Sequence, residues 1–260
     1  MDEQSNQQRK LRRRGVYLLP NIFTIAGMFA GFYAIVAGLQ GRFENAVIAI
    51  FVAIVADVLD GRIARWTHAQ SDIGAQLDSL SDMVSFGIAP PMVMYSWSLS
   101  ILGKPGWLVA FIYTACTALR LARFNARAQS SEKRYFYGLA TPAAAALVAS
   151  TIWTFVANDI SGVSVAIPMA ILMFLLGMLK VSTIKYRSFK DFDLRDRVSM
   201  FVILLLVLVL VLVALNPPES LFLIMFVYAA SGPCGLIWRI MKRKRSHKKN
   251  ERKNDNEKPK

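Results

Sequence analysis

Apolar residues recur along this chain in runs long enough to cross a bilayer, broken by short polar intervals. A crossing needs about 17 to 25 residues. Eight runs meet or approach that length, at 18–39, 43–61, 82–102, 105–124, 138–157, 163–181, 198–215 and 219–238. Four intervals carry tight-turn chemistry: Gln40-Gly41, Gly103-Lys104-Pro105-Gly106, Asn158-Asp159 with Gly162, and Asn216-Pro217-Pro218. The intervals on the other side, 62–81, 125–137 and 182–197, are longer and basic. The pattern predicts an all-α, polytopic membrane protein of about eight transmembrane helices.

Composition agrees: 55% of the 260 residues are hydrophobic and 18% charged, with a mean hydropathy of +0.39. A net charge of +14 would suggest a nucleic-acid partner in a soluble chain. Here the charge is segregated from the apolar runs, so no nucleic-acid partner is expected. Of the 31 Lys and Arg residues only Arg42 and Lys104 fall in the tight-turn group, leaving 29 on the opposite side with both termini. Positive-inside bias then places both termini in the cytoplasm. The first run is too long for a signal-peptide core and is expected to stay as a helix. Cys116 and Cys234 both lie inside apolar runs, and His68 and His247 are far apart, so neither a disulfide nor a Cys/His metal site is expected. Gly27 and Gly31 form a small-x-x-x-small pair suited to close helix approach.

Carboxylates are the residues this background tolerates least. Asp57, Asp60, Gly61 and Ala64 fall at i, i+3, i+4 and i+7, and Gly74, Asp78 and Asp82 advance by four. Each group therefore lies on one helix face. Four anions gathered at the ends of two spans would repel one another unless a cation neutralised them. All-oxygen ligands favour a hard divalent ion, Mg²⁺, Mn²⁺ or Ca²⁺, and Mg²⁺ keeps positions open for phosphate. Gly61 and Gly74 leave bare helix surface, and Arg65 offers a fork for phosphate oxygens. The alternative class is an ion-coupled transporter, but transporters place such residues near the midplane, often in two matching halves. Here the cluster occurs once, at the cytoplasmic edge.

From Asp57 to Asp82 the chain spells D-x-x-D-G-x-x-A-R-x8-G-x-x-x-D-x-x-x-D, which resembles the signature of the CDP-alcohol phosphotransferases. The resemblance implies a six-helix catalytic membrane core in which an alcohol displaces CMP from a CDP-linked lipid, assisted by two divalent ions, Mg²⁺ or Mn²⁺. By matching position, Asp57, Asp60, Asp78 and Asp82 would hold the metals and Asp82 would also be the catalytic base. Gly61, Arg65, Ser71 and Gly74 would hold the CDP-lipid with Asn21 and Thr24, which follow Pro20 in the first helix as they often do in the family.

Three further segments, Ala118–Asn125, Tyr137–Ala145 and Tyr186–Lys190, resemble those of bacterial membrane-bound members that transfer to serine. They imply CDP-diacylglycerol and L-serine as substrates, with Arg120, Arg123, Asn125 and Lys190 as candidates to bind serine. Glycerol 3-phosphate is the competing acceptor, since it too would want arginines. One departure is that Gly138-Leu139-Ala140-Thr141 stands where Gly-Leu-Pro is expected, which bears on how the fifth helix starts. The resulting division is a basic cytoplasmic segment at 1–17, a catalytic core at 18–197, two additional spans at 198–238 and a basic cytoplasmic tail at 239–260. Eleven Lys or Arg residues in that tail predict disorder when free and attraction to anionic lipid. A homodimer in the cell's inner membrane, with its site at the cytoplasmic face, is the family expectation. Pro90 and Pro91 are expected to loosen the third span or free a carbonyl there.

Overall fold

A computed structural model describes residues 2–67, 71–128, 138–184 and 200–256, and among them there is no strand. The helices are α1 (Asp2–Leu39), α2 (Phe43–Trp66), α3 (Asp72–Asp82), α4 (Ala89–Trp97), α5 (Lys104–Ala128), α6 (Thr141–Ala157), α7 (Ala166–Val181), α8 (Met200–Leu215) and α9 (Pro217–Asn256). A π-helical turn, Met83–Ile88, joins α3 to α4 in one rod, and 3-10 turns follow α4 and precede α7. Four described segments are long and apolar enough to span a membrane: Pro20–Leu39, Lys104–Ala126, Gly162–Val181 and Pro217–Leu236. The other apolar runs are helical too but shorter, or broken by charge. The rod changes helix type, α6 and α8 have 17 and 16 residues, and α2 carries its own carboxylates.

Small residues set the packing. Ala30, Ala34 and Ala37 of α1 and Ala46, Ala49 and Ala53 of α2 are all buried in one core, so the two backbones run close along the α1–α2 hairpin. Large side chains such as Phe29, Phe32, Val52, Val55, Phe111 and Ile171 are exposed on the outside, an apolar surface that suits lipid rather than water. Around the core, α2 meets α6, α5 meets α7, and α9 lies along α6.

The expected close approach at Gly27 and Gly31 is present. A Cβ on Gly31 would fall 2.6 Å from the Ser85 Cα, and one on Gly27 would meet Ala56 and Ser81. Through these gaps Ser81 donates to the Thr24 carbonyl at 2.9 Å and Ser85 to the Gly27 carbonyl at 3.0 Å. The rod is thereby pinned to α1 in fixed register.

The prolines act mildly. Pro90 and Pro91 sit in the first turn of α4, directly after the π-helical turn, where a missing N–H costs little. The Gly87 carbonyl, four residues before Pro91, accepts instead from the Thr114 hydroxyl at 2.9 Å. Thus the proline frees a carbonyl that ties the rod to α5. At the α6 start, Ala140 has φ −60, close to the value a proline ring would impose. The departure from Gly-Leu-Pro therefore leaves the entry of α6 regular. Gly138, at φ +81, is required there: a Cβ would lie 2.3 Å from the Lys180 carbonyl oxygen. α9 continues as helix through Asn256, into the basic stretch whose composition predicts disorder when free.

Candidate active site

Two helix ends bring the carboxylates together. α2 presents Asp57 and Asp60 one turn apart near its C-terminus, and α3 presents Asp78 and Asp82 one turn apart. Oxygens of Asp57, Asp60 and Asp78 all lie within 4.8 Å of one another. Ligands on opposite sides of a divalent ion at 2.0–2.6 Å are separated by about 4 to 5 Å, so this triad fits such an ion. Asp82 completes the group, its carboxyl lying against that of Asp57 within hydrogen-bonding reach. Asp60 is buried, and the Thr24 hydroxyl points its oxygen at Asp60 Oδ2 over 2.8 Å as donor. A carboxylate so placed is oriented by α1 before any ligand arrives.

The residues expected to hold the CDP-lipid lie on α1, α2 and the start of α3. Ser71 caps α3, its Oγ accepting from the Gly74 N–H at 3.0 Å. A Cβ on Gly74 would crowd both that Oγ and Asn21 Oδ1, so Asn21, Ser71 and Gly74 form one tight junction between α1 and α3. Around Gly61 the space is open, Arg65 Nη1 being the nearest group at 3.9 Å from a built Cβ. Arg65 itself is exposed. Bare backbone beside a guanidinium is the combination a phosphate can approach. Thr24, by contrast, spends its hydroxyl on Asp60 and on the Pro20 carbonyl at 3.1 Å.

The acceptor candidates are less alike than the sequence suggests. Arg120 on α5 is half-buried and within electrostatic reach of Asp82, and its Nη1 donates to Thr141 Oγ1 at 2.8 Å. Its Nε is buried with no protein acceptor. Arg123 donates from Nη1 to the Val181 carbonyl at 2.9 Å, closing the C-terminal end of α7. Asn125 donates from Nδ2 to Ser79 Oγ at 3.0 Å, next in sequence to Asp78. Lys190 lies outside the described residues.

Three residues escape the sequence reading, Lys180 first among them. Lys180, grouped there with orientation charge, is fully buried between α5 and α7. Its Nζ donates to Thr117 Oγ1 at 2.7 Å and sits 3.1 Å from the centroid of the Tyr113 ring. Its signal was present: a cation inside the apolar run Ala166–Val181, three residues after Gly177, marks an interior position in a membrane helix. Ser81 and Ser85 were also missed, though their four-residue spacing mirrors that of Gly27 and Gly31.

A helical membrane core with a divalent-ion-sized carboxylate cluster defines a class, and the comparisons agree with it. The sequence model of the CDP-alcohol phosphatidyltransferase family matches residues 17–184; the chain belongs to that family. Among its relatives, the CDP-diacylglycerol–serine O-phosphatidyltransferase of Helicobacter pylori strain J99 is 34% identical over 232 residues, 87% of this chain and 94% of that protein. The enzyme of the same name from Bacillus subtilis is 37% identical over 172 residues, 66% of this chain and 91% of that one. A crystal structure of Mycobacterium tuberculosis phosphatidylinositol phosphate synthase with CDP-DAG bound superposes with a TM-score of 0.50 at 21% identity, covering 65% of this chain and 85% of that one. That likeness is one of fold.

Proposed function

We propose that this protein transfers the phosphatidyl group of CDP-diacylglycerol to the hydroxyl of L-serine, giving phosphatidylserine and CMP. The observation that carries the chemistry is the convergence of Asp57, Asp60 and Asp78, with Asp82 alongside. The choice of serine is supported by the relatives that bear that activity in their names.

Asp57, Asp60, Asp78 and Asp82 are the residues that would hold two divalent ions, Mg²⁺ or Mn²⁺. Such ions, when bound, neutralise pyrophosphate charge and ease departure of CMP. Gly61 admits the CDP moiety close to the α2 backbone, Arg65 takes phosphate oxygens, and Asn21, Ser71 and Gly74, packed against one another, are further contacts for the CDP-lipid. Thr24 acts through Asp60, fixing its oxygen. Arg120 binds the serine carboxylate, while Arg123 and Asn125 brace the helices that frame the acceptor, with Lys190 as a further contact. The serine oxygen bonds to the phosphorus of the phosphatidyl group, the P–O bond to CMP breaks, and Asp82 takes the hydroxyl proton as that oxygen becomes acidic.

The proposed setting is the cell's inner membrane, with eight spans, both termini and the site on the cytoplasmic side, and two chains to a dimer. Residues 18–197 form the catalytic core, 198–238 two added spans, and 1–17 and 239–260 basic flanks. Purified protein should release CMP from CDP-diacylglycerol only when both serine and Mg²⁺ or Mn²⁺ are present. Release with glycerol 3-phosphate and none with serine selects the competing acceptor, and release with neither, alongside ion flux in vesicles, selects a transporter.

A further inference from the structure

We propose that Ser79, on α3 between Asp78 and Asp82, is a positioning residue for the acceptor: its hydrogen bond with Asn125 sets the separation of α3 from α5, and with it the reach from an acceptor held on α5 to the carboxylates of α3; this rests on the acceptor site assigned above. The rod is tied to α5 at an inner and an outer point. At the inner one, the Thr114 hydroxyl donates to the Gly87 carbonyl of the π-helical turn at 2.9 Å. At the outer one, Asn125 Nδ2 donates to Ser79 Oγ at 3.0 Å, while the Ser79 hydroxyl donates to the Ala75 carbonyl at 3.1 Å. Asp82 on the rod and Arg120 on α5 both fall between these two points along their helices.

The two ends of this interval are held differently. Helix packing closes the inner end, where α5 lies against the π-helical turn and α4. α3 packs instead on α1 and on that turn, so at the outer end the side chains of Ser79 and Asn125 reach across to join it to α5. Ser79 is next to Asp78 and three residues before Asp82, so any parting of α3 from α5 there carries the carboxylates away from the acceptor. A misplacement of about 1 Å between reacting groups can cost 10²-fold in rate. Both Ser79 and Asn125 are half-buried, so water can satisfy either group once the link is cut. What is then lost is a fixed spacing and not a buried polar partner, and the effect falls on acceptor turnover rather than on stability.

Ser79→Ala removes the linking oxygen and little else. The expected result is a serine kcat/KM lowered about tenfold, the upper range for one neutral hydrogen bond, with the CDP-diacylglycerol KM, the apparent Mg²⁺ affinity and the thermal midpoint unchanged. Ser79→Thr keeps a hydroxyl and should stay within about twofold of wild type. In an Asn125→Ala background Ser79→Ala should add less than about twofold, since residues in direct contact are non-additive. An unchanged serine kcat/KM overturns the proposal. So does a loss matched by a fall in Mg²⁺ affinity or thermal midpoint, which marks Ser79 as a support for α3 alone, and so do a Thr variant as impaired as the Ala variant and full additivity with Asn125→Ala. The acceptor reading fails separately: wild type that releases CMP with glycerol 3-phosphate and not serine removes serine, and Ser79 is then judged by kcat/KM for glycerol 3-phosphate.

Discussion

The α1–α2–α3 side of the site and the α5–α7 side are built on opposite terms. On the first, like charges are gathered: four carboxylates face one another from two helix ends, with one hydroxyl, from Thr24, donating to Asp60. On the second, cations are spread out and spent, Arg123 on a helix-end carbonyl, Lys180 on a hydroxyl and a ring, Arg120 partly on Thr141. The first side is an arrangement that makes sense only with a ligand; the second is largely satisfied without one. Cations there do structural work first, and among the described residues Arg120 keeps a buried Nε with no protein acceptor.

The comparison breaks most sharply at the carboxylates. Chelation with EDTA should abolish CMP release and added Mg²⁺ or Mn²⁺ restore it; activity that survives chelation would remove the metal role of the triad. Asp82→Asn should keep CDP-diacylglycerol binding and the thermal midpoint while turnover falls about 10²- to 10⁴-fold, the worth of a general base. Near-normal turnover sinks the base assignment. Thr24→Val removes only the donor behind Asp60, and should weaken apparent Mg²⁺ affinity about 10- to 100-fold, as loss of a residue that orients a metal ligand does. An unchanged metal requirement shows that Asp60 needs no help from α1.

On the second side the expected effects are smaller and fall on stability. Arg123→Gln should cost about 1.5–3 kcal/mol, the range for a hydrogen bond from a charged group, with serine KM changed less than about twofold. A large KM change with stability intact would make Arg123 an acceptor contact and erase the contrast between the two sides. Gly31→Ala, at the α1–rod contact, should lose about 1–3 kcal/mol through overpacking, read as a lower melting point in detergent. Gly235→Ala, whose new Cβ meets nothing within 4 Å, is the matched control and should leave melting unchanged.

Legibility followed locality. Asp57, Asp60, Asp78 and Asp82 share faces fixed by helical periodicity within two short stretches, so spacing alone brought each pair to one face. Gly27 and Gly31 announced a close contact by their four-residue interval, although nothing local named Ser81 and Ser85 as the partners. Arg120, Arg123 and Asn125 look equivalent in sequence because they share one helix turn and the next. They diverge in space because α6, α7 and α3 each approach that turn from a different direction. Lys180 was hidden for a related reason: a lysine near the end of an apolar run reads as an anchor, and only the packing of α7 against α5 turns it inward.

The sequence by itself determined that the chain is helical and apolar enough for a membrane, and that its carboxylates lie on two helix faces. Hydropathy and the 3.6-residue period are local properties that survive without knowledge of neighbours. The tertiary structure alone decided that those two faces meet, that Thr24 of α1 donates to Asp60, and that Lys180, far along the chain from Thr117, turns inward to donate to it. Contacts of that kind depend on which small residues let helices approach and at what register, and no single stretch of sequence encodes both partners.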